Sequence, residues 1–150
     1  MSAVPQPQPL ARFYIENGVG RRVCDAINIF TVNHGCLAEF QHDVHPQMQL
    51  PQHGDEWWIE EVTGASFVII TGDEAIFRVA SERETVERAA ARIITFARAD
   101  YSAWQMIAGL SSHWTRIHDQ LAKPGPWILK VYAGSTAPAL MLGNESAETD

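Results

Sequence analysis

A chain of 150 residues with 46% hydrophobic content is expected to form one domain around one core. Its formal net charge of −7 counts against a non-specific nucleic-acid binder, which is usually basic. The charge counts less against a metal-dependent nuclease, because bound divalent cations offset it locally. No apolar run approaches the roughly 20 residues of a membrane span, and Met1–Pro9 is polar and proline-rich, unlike a signal peptide, so a cytoplasmic protein is expected.

Residues 1–10 are expected to be a disordered tail, since Pro5, Pro7 and Pro9 alternate with polar neighbours and favour extended chain. The domain is placed at residues 11–142. Arg12–Ile15 reads as a strand, and Gly18–Asn33 as a helix on which Val19, Val23, Ile27 and Phe30 recur at intervals of three or four. Gly35 suits its stop. Cys36–Phe40 reads as a second strand and His42–Gly54 as a loop. Asp55 is placed as the cap of a short helix carrying Trp57, Trp58, Ile59 and Val62, ended by Gly64. Phe67–Thr71 is a continuous apolar run, the mark of a strand buried on both faces. Ser81 and Glu84 have the spacing of a capping box that opens a helix through Ile93, followed by a strand at Ile94–Ala97. Asp100 is placed as the cap of a long helix with Trp104, Ile107, Leu110, Trp114, Ile117 and Leu121 on one stripe, broken by Pro124-Gly125-Pro126. Trp127–Ala133 and Pro138–Leu142 read as a closing hairpin, and residues 143–150 as a disordered acidic tail.

Strands alternating with helices imply an α/β fold with a mostly parallel central sheet between helix layers. In such sheets the site lies at the carboxyl ends of the strands, near the point where the strand order reverses. Glu16 follows the first strand, Asp73 follows the buried Phe67–Thr71 strand, and Asp55 and Glu56 open the helix leading into it. Carboxylates that meet there repel unless a hard cation is present, and oxygen ligands suit Mg²⁺ or Mn²⁺. Such a site activates water for attack on phosphate. On spacing alone the plainer reading stands beside it: Asp55 an N-cap, Glu16 and Asp73 solvated strand ends. Arg21 and Arg22, near a helix start, are candidates for holding an RNA backbone, or else surface arginines paired with nearby acids.

Three stretches resemble PIN-like domains in order and separation. Phe13-Tyr14-Ile15-Glu16, running on to Arg21-Arg22-Val23, resembles their opening strand, acid and helix start. Gly54-Asp55-Glu56-Trp57-Trp58-Ile59 resembles their acidic helix, and Phe67-Val68-Ile69-Ile70-Thr71-Gly72-Asp73 their strand and acid. Trp127-Ile128-Leu129-Lys130-Val131-Tyr132 resembles the closing strand. The likeness is closest to the subgroup that includes VapC-type toxins. It implies a three-layer PIN-like fold and a metal-dependent endoribonuclease, the toxin of a VapBC-type toxin–antitoxin pair. It further implies Glu16, Asp55 and Asp73 as catalytic and metal-binding acids, with Glu56 as a helper, Mg²⁺ or Mn²⁺ as cofactor, RNA as substrate, a cognate antitoxin as partner and a possible homodimer. Asp100 is a fourth-acid candidate by position alone. Two departures, Glu16 where such sequences usually carry Asp and Glu74 where a basic residue is common, favour the alternative: a PIN-like protein-binding module with impaired catalysis.

Other signals weigh less. Gly18-Val19-Gly20 lacks the third glycine of a dinucleotide fingerprint. His42, His45 and His53, with Asp43, read better as a polar loop than as a zinc site. His113 is expected in solvent, and His118 half-buried. Cys24 and Cys36 read as small buried or half-buried thiols. Trp57 and Trp58 are adjacent on a helix, so one of them is expected to face outward.

Overall fold

The computed structural model describes residues 10–45, 54–72 and 79–143. Apart from Leu10 and Gly143, the expected tails lie outside these residues. In chain order the elements are β1 (Ala11–Ile15), α1 (Arg21–Phe30), β2 (Cys36–Phe40), α2 (Gln41–Val44), α3 (Gly54–Gly64), β3 (Phe67–Ile70), α4 (Ala80–Ala89), β4 (Arg92–Phe96), α5 (Ala103–Ser112), α6 (Trp114–Leu121), β5 (Trp127–Val131) and β6 (Ala139–Leu142). The strands form one sheet in the order β2-β1-β3-β4-β5-β6. Every pairing is parallel except the closing β5–β6 hairpin.

The sheet has an apolar cluster on each face, so the fold is a three-layer α/β domain. One face carries Phe13, Ile15, Val68, Ile70, Ile94 and Phe96 under α1, α5 and α6. The other carries Tyr14, Phe67, Ile69 and Ile93 under α3 and α4. All four residues of β3 are buried, as its unbroken apolar run requires of a strand covered on both sides.

Several boundaries differ from the sequence expectation, each for a local reason. Gly20 has φ 99° and ψ 160°, which no helical residue adopts, so α1 starts at Arg21 rather than Gly18. The residues before it form a turn in which Val19 N–H donates to the Glu16 carbonyl at 2.9 Å. The loop expected at His42–Gly54 begins later, because Gln41–Val44 makes one helical turn. Helix α3 begins at Gly54, so Asp55 lies in its first turn rather than at its cap. The helix expected to run through Ile93 ends at Ala89. Ala90 is left-handed, its N–H bonds the Glu87 carbonyl and Ala91 N–H bonds the Val86 carbonyl, a Schellman stop built without glycine. The Ser81–Glu84 capping box does not form, because Ser81 already lies inside α4.

The long helix is two helices, parted at His113. Its cap is Ser102, whose hydroxyl accepts from Gln105 N–H in a capping box, while Asp100 instead pairs with Arg98 at 3.0 Å. Of the expected stripe, Leu110, Ile117 and Leu121 are buried and Ile107 and Trp114 pack against the core, but Trp104 is 75% exposed and Met106 and Gly109 face inward beside Leu110. The reason is Gly109: a Cβ there would stand 2.8 Å from the Tyr132 carbonyl oxygen, so α5 rests on the backbone just beyond β5 through this face. His113 is half-buried, with Nε2 2.7 Å from the Gly134 carbonyl oxygen, rather than free in solvent. His118 is half-buried against Trp114 and His34, as expected. Of the adjacent tryptophans, Trp58 is buried; the side chain of Trp57 lies outside the described residues.

Candidate functional site

Strand β1 lies between β2 and β3, and the chain leaves it in opposite directions. The β1–β2 crossover helix α1 covers one face, while α3, which leads into β3, covers the other. The order therefore reverses between β1 and β3, and a crevice opens at their carboxyl ends.

Glu16 stands at that point. Its N–H donates to the Ile70 carbonyl at 3.0 Å, continuing the β1–β3 ladder by one residue. Its carboxylate then accepts two hydrogen bonds: Thr71 Oγ1 donates to Oε1 at 3.1 Å, and Gly18 N–H donates to Oε2. Gly18 leaves room for this, since a Cβ there would lie 3.1 Å from Oε1. Thr71 is itself buried and anchored by its N–H to the Ile94 carbonyl at 3.0 Å. The first strand thus delivers a half-buried carboxylate to the position the sequence assigns it.

Helix α3 joins the start of β3 through Ala65 and Ser66, so its first turn, with Asp55 and Glu56, lies toward the carboxyl edge of the sheet. The side chains of Asp55 and Glu56, and all of Asp73 and Glu74, lie outside the described residues. Among the described residues no three acidic, histidine or cysteine side chains gather as a metal-binding group. The donors that are present beside Glu16 are oxygens. Asn17 Oδ1 is buried without a partner next to it, and Thr95 Oγ1, also buried and unpartnered, sits one strand beyond Thr71 in the β3–β4 register. Hard oxygen donors fit Mg²⁺ or Mn²⁺ rather than a soft metal.

Arg21 is paired with an acid in the fold. Its guanidinium forks onto Asp43 at 2.7 and 2.9 Å and lies 4.7 Å from the centre of the Phe40 ring. The pairing lowers the Asp43 carboxyl below its ordinary range and raises Arg21. Arg22 is exposed and makes no ion pair among the described residues. Burial pushes the Cys24 thiol up to about 11 and raises Cys36 as well, which fits inert structural thiols.

A polar chain beside Glu16 is absent from the sequence reading. Tyr14, two residues earlier on the same sheet face, is fully buried, and its hydroxyl lies 2.9 Å from His45 Nδ1. Trp58 of α3 stacks on its ring at 6.0 Å. Gln41 is buried and accepts from Asn17 N–H at 2.8 Å through Oε1. Burial holds the Tyr14 phenol well above the usual tyrosine range. The one available signal was the four-residue spacing of Gln41 and His45, which becomes a contact spacing only once α2 is known to be helical.

An open, doubly wound α/β domain with an acid at its switch point belongs to the class that binds ligands at the carboxyl edge. Comparison with protein families matches residues 11–98 to the family described as PIN like domain. The match covers more than half of the 150 residues, and the chain belongs to this family. Comparison with curated proteins found no match, and comparison with solved structures found none.

Proposed function

We propose that this PIN-like domain is a metal-dependent endoribonuclease, acting in the cytoplasm as the toxin of a VapBC-type toxin–antitoxin pair. Glu16, Asp55 and Asp73 are the proposed acids, with Mg²⁺ or Mn²⁺ as the ion. The observation that carries the reading is Glu16: a carboxylate held at the β1–β3 switch point by Thr71 Oγ1 and Gly18 N–H. A carboxylate offers about four lone-pair sites, so two accepted hydrogen bonds leave capacity for an ion. When bound, the ion supplies an activated water and offsets charge on the phosphate. Glu16 binds and orients, Thr71 fixes the carboxylate plane, and Arg21 and Arg22, both exposed at the start of α1, are the proposed contacts to RNA phosphates. A cognate antitoxin and a homodimer belong to the same proposal. Among the described residues no helix is long and apolar enough to cross a membrane.

The test is RNA cleavage by purified protein with Mg²⁺ or Mn²⁺ against EDTA. Cleavage is expected only with metal and is lost in Asp73→Asn; in cells, expression of the chain without its partner slows growth and Asp73→Ala relieves it. One observation favours the second reading, a partner-binding module with impaired catalysis: both oxygens of Glu16 already accept hydrogen bonds from the protein. Intact RNA under all metal conditions, with Asp73→Ala silent in growth, would select that module.

A further inference from the structure

We infer that Lys130 is a further substrate-contacting residue of this site, whose ammonium takes a phosphate of the RNA strand beyond the one under attack. The inference rests on the ribonuclease reading and adds where the strand runs: from Glu16 across the carboxyl edge of the sheet to β5.

The sheet register places Lys130. On the face covered by α3 and α4, Tyr14, Ile69, Ile93 and Ile128 pair in one apolar row. Side chains alternate along a strand, so the residues two further on return to that face, at the carboxyl edge. They are Glu16, Thr71, Thr95 and Lys130. The β1–β3 ladder runs on to Glu16 through its N–H on the Ile70 carbonyl, and the β3–β4 ladder to Thr71 through its N–H on the Ile94 carbonyl, both at 3.0 Å. Thr95 pairs with Lys130 directly. One face thus changes from apolar to polar in a single step. The polar row starts at the proposed metal-binding acid and ends at a cation.

Charge decides what that cation is for. A polyanion laid on this edge of an acidic chain needs unpaired positive charge, since phosphate contacts dominate its affinity. The chain has 11 lysines and arginines, and most near this edge are already engaged. Arg21 is paired with Asp43, Arg83 with Glu87 and Arg98 with Asp100. Arg22 and Lys130 make no ion pair among the described residues. Arg22 is exposed, as a solvated surface arginine is, whereas Lys130 is half-buried. Charges taken out of water are ordinarily paired. Glu82, the buried acid of α4 over the same face, does not pair with Lys130, and the Thr95 hydroxyl beside it has no partner either. The Lys130 nitrogen lies 5.4 Å from the centre of the Tyr132 ring, two residues nearer the edge, so the ammonium leans outward along the strand. The cation is held and directed toward the edge, and no anion of the described chain meets it.

Distance fixes which phosphate it takes. Three strand spacings of about 4.8 Å separate β1 from β5, roughly 14 Å in all. That is too far for the phosphate at Glu16, so Lys130 meets one farther along the strand. A contact remote from the reacting bond is made equally in the ground and transition states, and shows in KM rather than in kcat.

The test is Mn²⁺-supported cleavage of a short single-stranded RNA at a series of potassium chloride concentrations. Lys130→Met keeps the apolar stem and removes the charge. It should raise KM about tenfold, the size expected of one hydrogen bond to a charged group, with kcat little changed. The slope of log KM against log salt should fall by about 0.7, the single-strand value for one phosphate. Lys130→Arg should restore both. Lys130→Met should melt no lower than the wild type, because a half-buried charge without an ion pair is not a source of stability. Wild-type cleavage with KM and salt slope unchanged in Lys130→Met overturns the inference and leaves the ribonuclease reading standing. So does a lower melting temperature in Lys130→Met whose raised KM keeps the wild-type salt slope, since that marks a packing role over Tyr132. No cleavage by the wild type with either metal overturns both.

Discussion

Glu16 shows how much one methylene can decide. Its side chain, one methylene longer than aspartate, reaches Thr71 Oγ1 at 3.1 Å while folding back onto Gly18 N–H. Both contacts depend on that reach. Glu16→Asp should therefore pull the carboxylate away from Thr71 and from the proposed ion. We expect cleavage to fall about 10–100-fold, the usual cost of misplacing a ligand or its support, with the melting temperature nearly unchanged because Glu16 is only half-buried. Higher cleavage in Glu16→Asp would show that the native site is a weakened one. Glu16 was legible in the sequence because a strand end and an acid coincide. The Tyr14–His45 contact was not, because its partners are 31 residues apart and meet only once the short helix α2 forms.

Elements were legible where hydrophobic pattern alone decides them. The buried run of β3 and the closing hairpin stand where the sequence puts them, and the β5–β6 pairing is antiparallel as a hairpin requires. Boundaries set by a single dihedral were not legible: Gly20 at φ 99° delays α1, and Ala90 at φ 58°, a residue with no propensity for that conformation, ends α4 early. The edge of the sheet carries a device that no periodicity announces. Asn28 on α1 donates through Nδ2 to the Ala38 carbonyl at 2.9 Å and accepts from Ala38 N–H at 2.8 Å, so one side chain does for β2 what another strand would do. Ala38 is buried, and water does not replace those bonds freely. Asn28→Ala should destabilise the domain by about 1–3 kcal/mol, the cost of leaving buried backbone groups unmade. Urea unfolding measures this. A loss under half a kcal/mol, with no added self-association through the uncovered edge, would mean that the pair of bonds is ornamental.

At the scale of the molecule, alternation of strands and helices was enough to read a parallel α/β sheet, but not its order. Which strand lies beside which depends on long-range pairings such as Ile15 with Ile70, and the switch point exists only once β1 is known to sit between β2 and β3. The order matters because it puts a carboxylate of an already acidic chain, net charge −7, at a crevice where the family resemblance adds two more. With Asp55 and Asp73 joining Glu16 there as proposed, three acids would repel one another, and a divalent ion that binds only the folded chain would reverse that repulsion. At a Mn²⁺ concentration 100 times its dissociation constant, linkage predicts about 2.7 kcal/mol of added stability. For a domain of this size that is a rise of about 5–10 °C in melting temperature, at roughly 2–4 °C per kcal/mol. Asp73→Asn should lose most of the rise while folding at least as well without metal, since it removes one charge from the crevice. Equal shifts in wild type and Asp73→Asn would place the ion elsewhere.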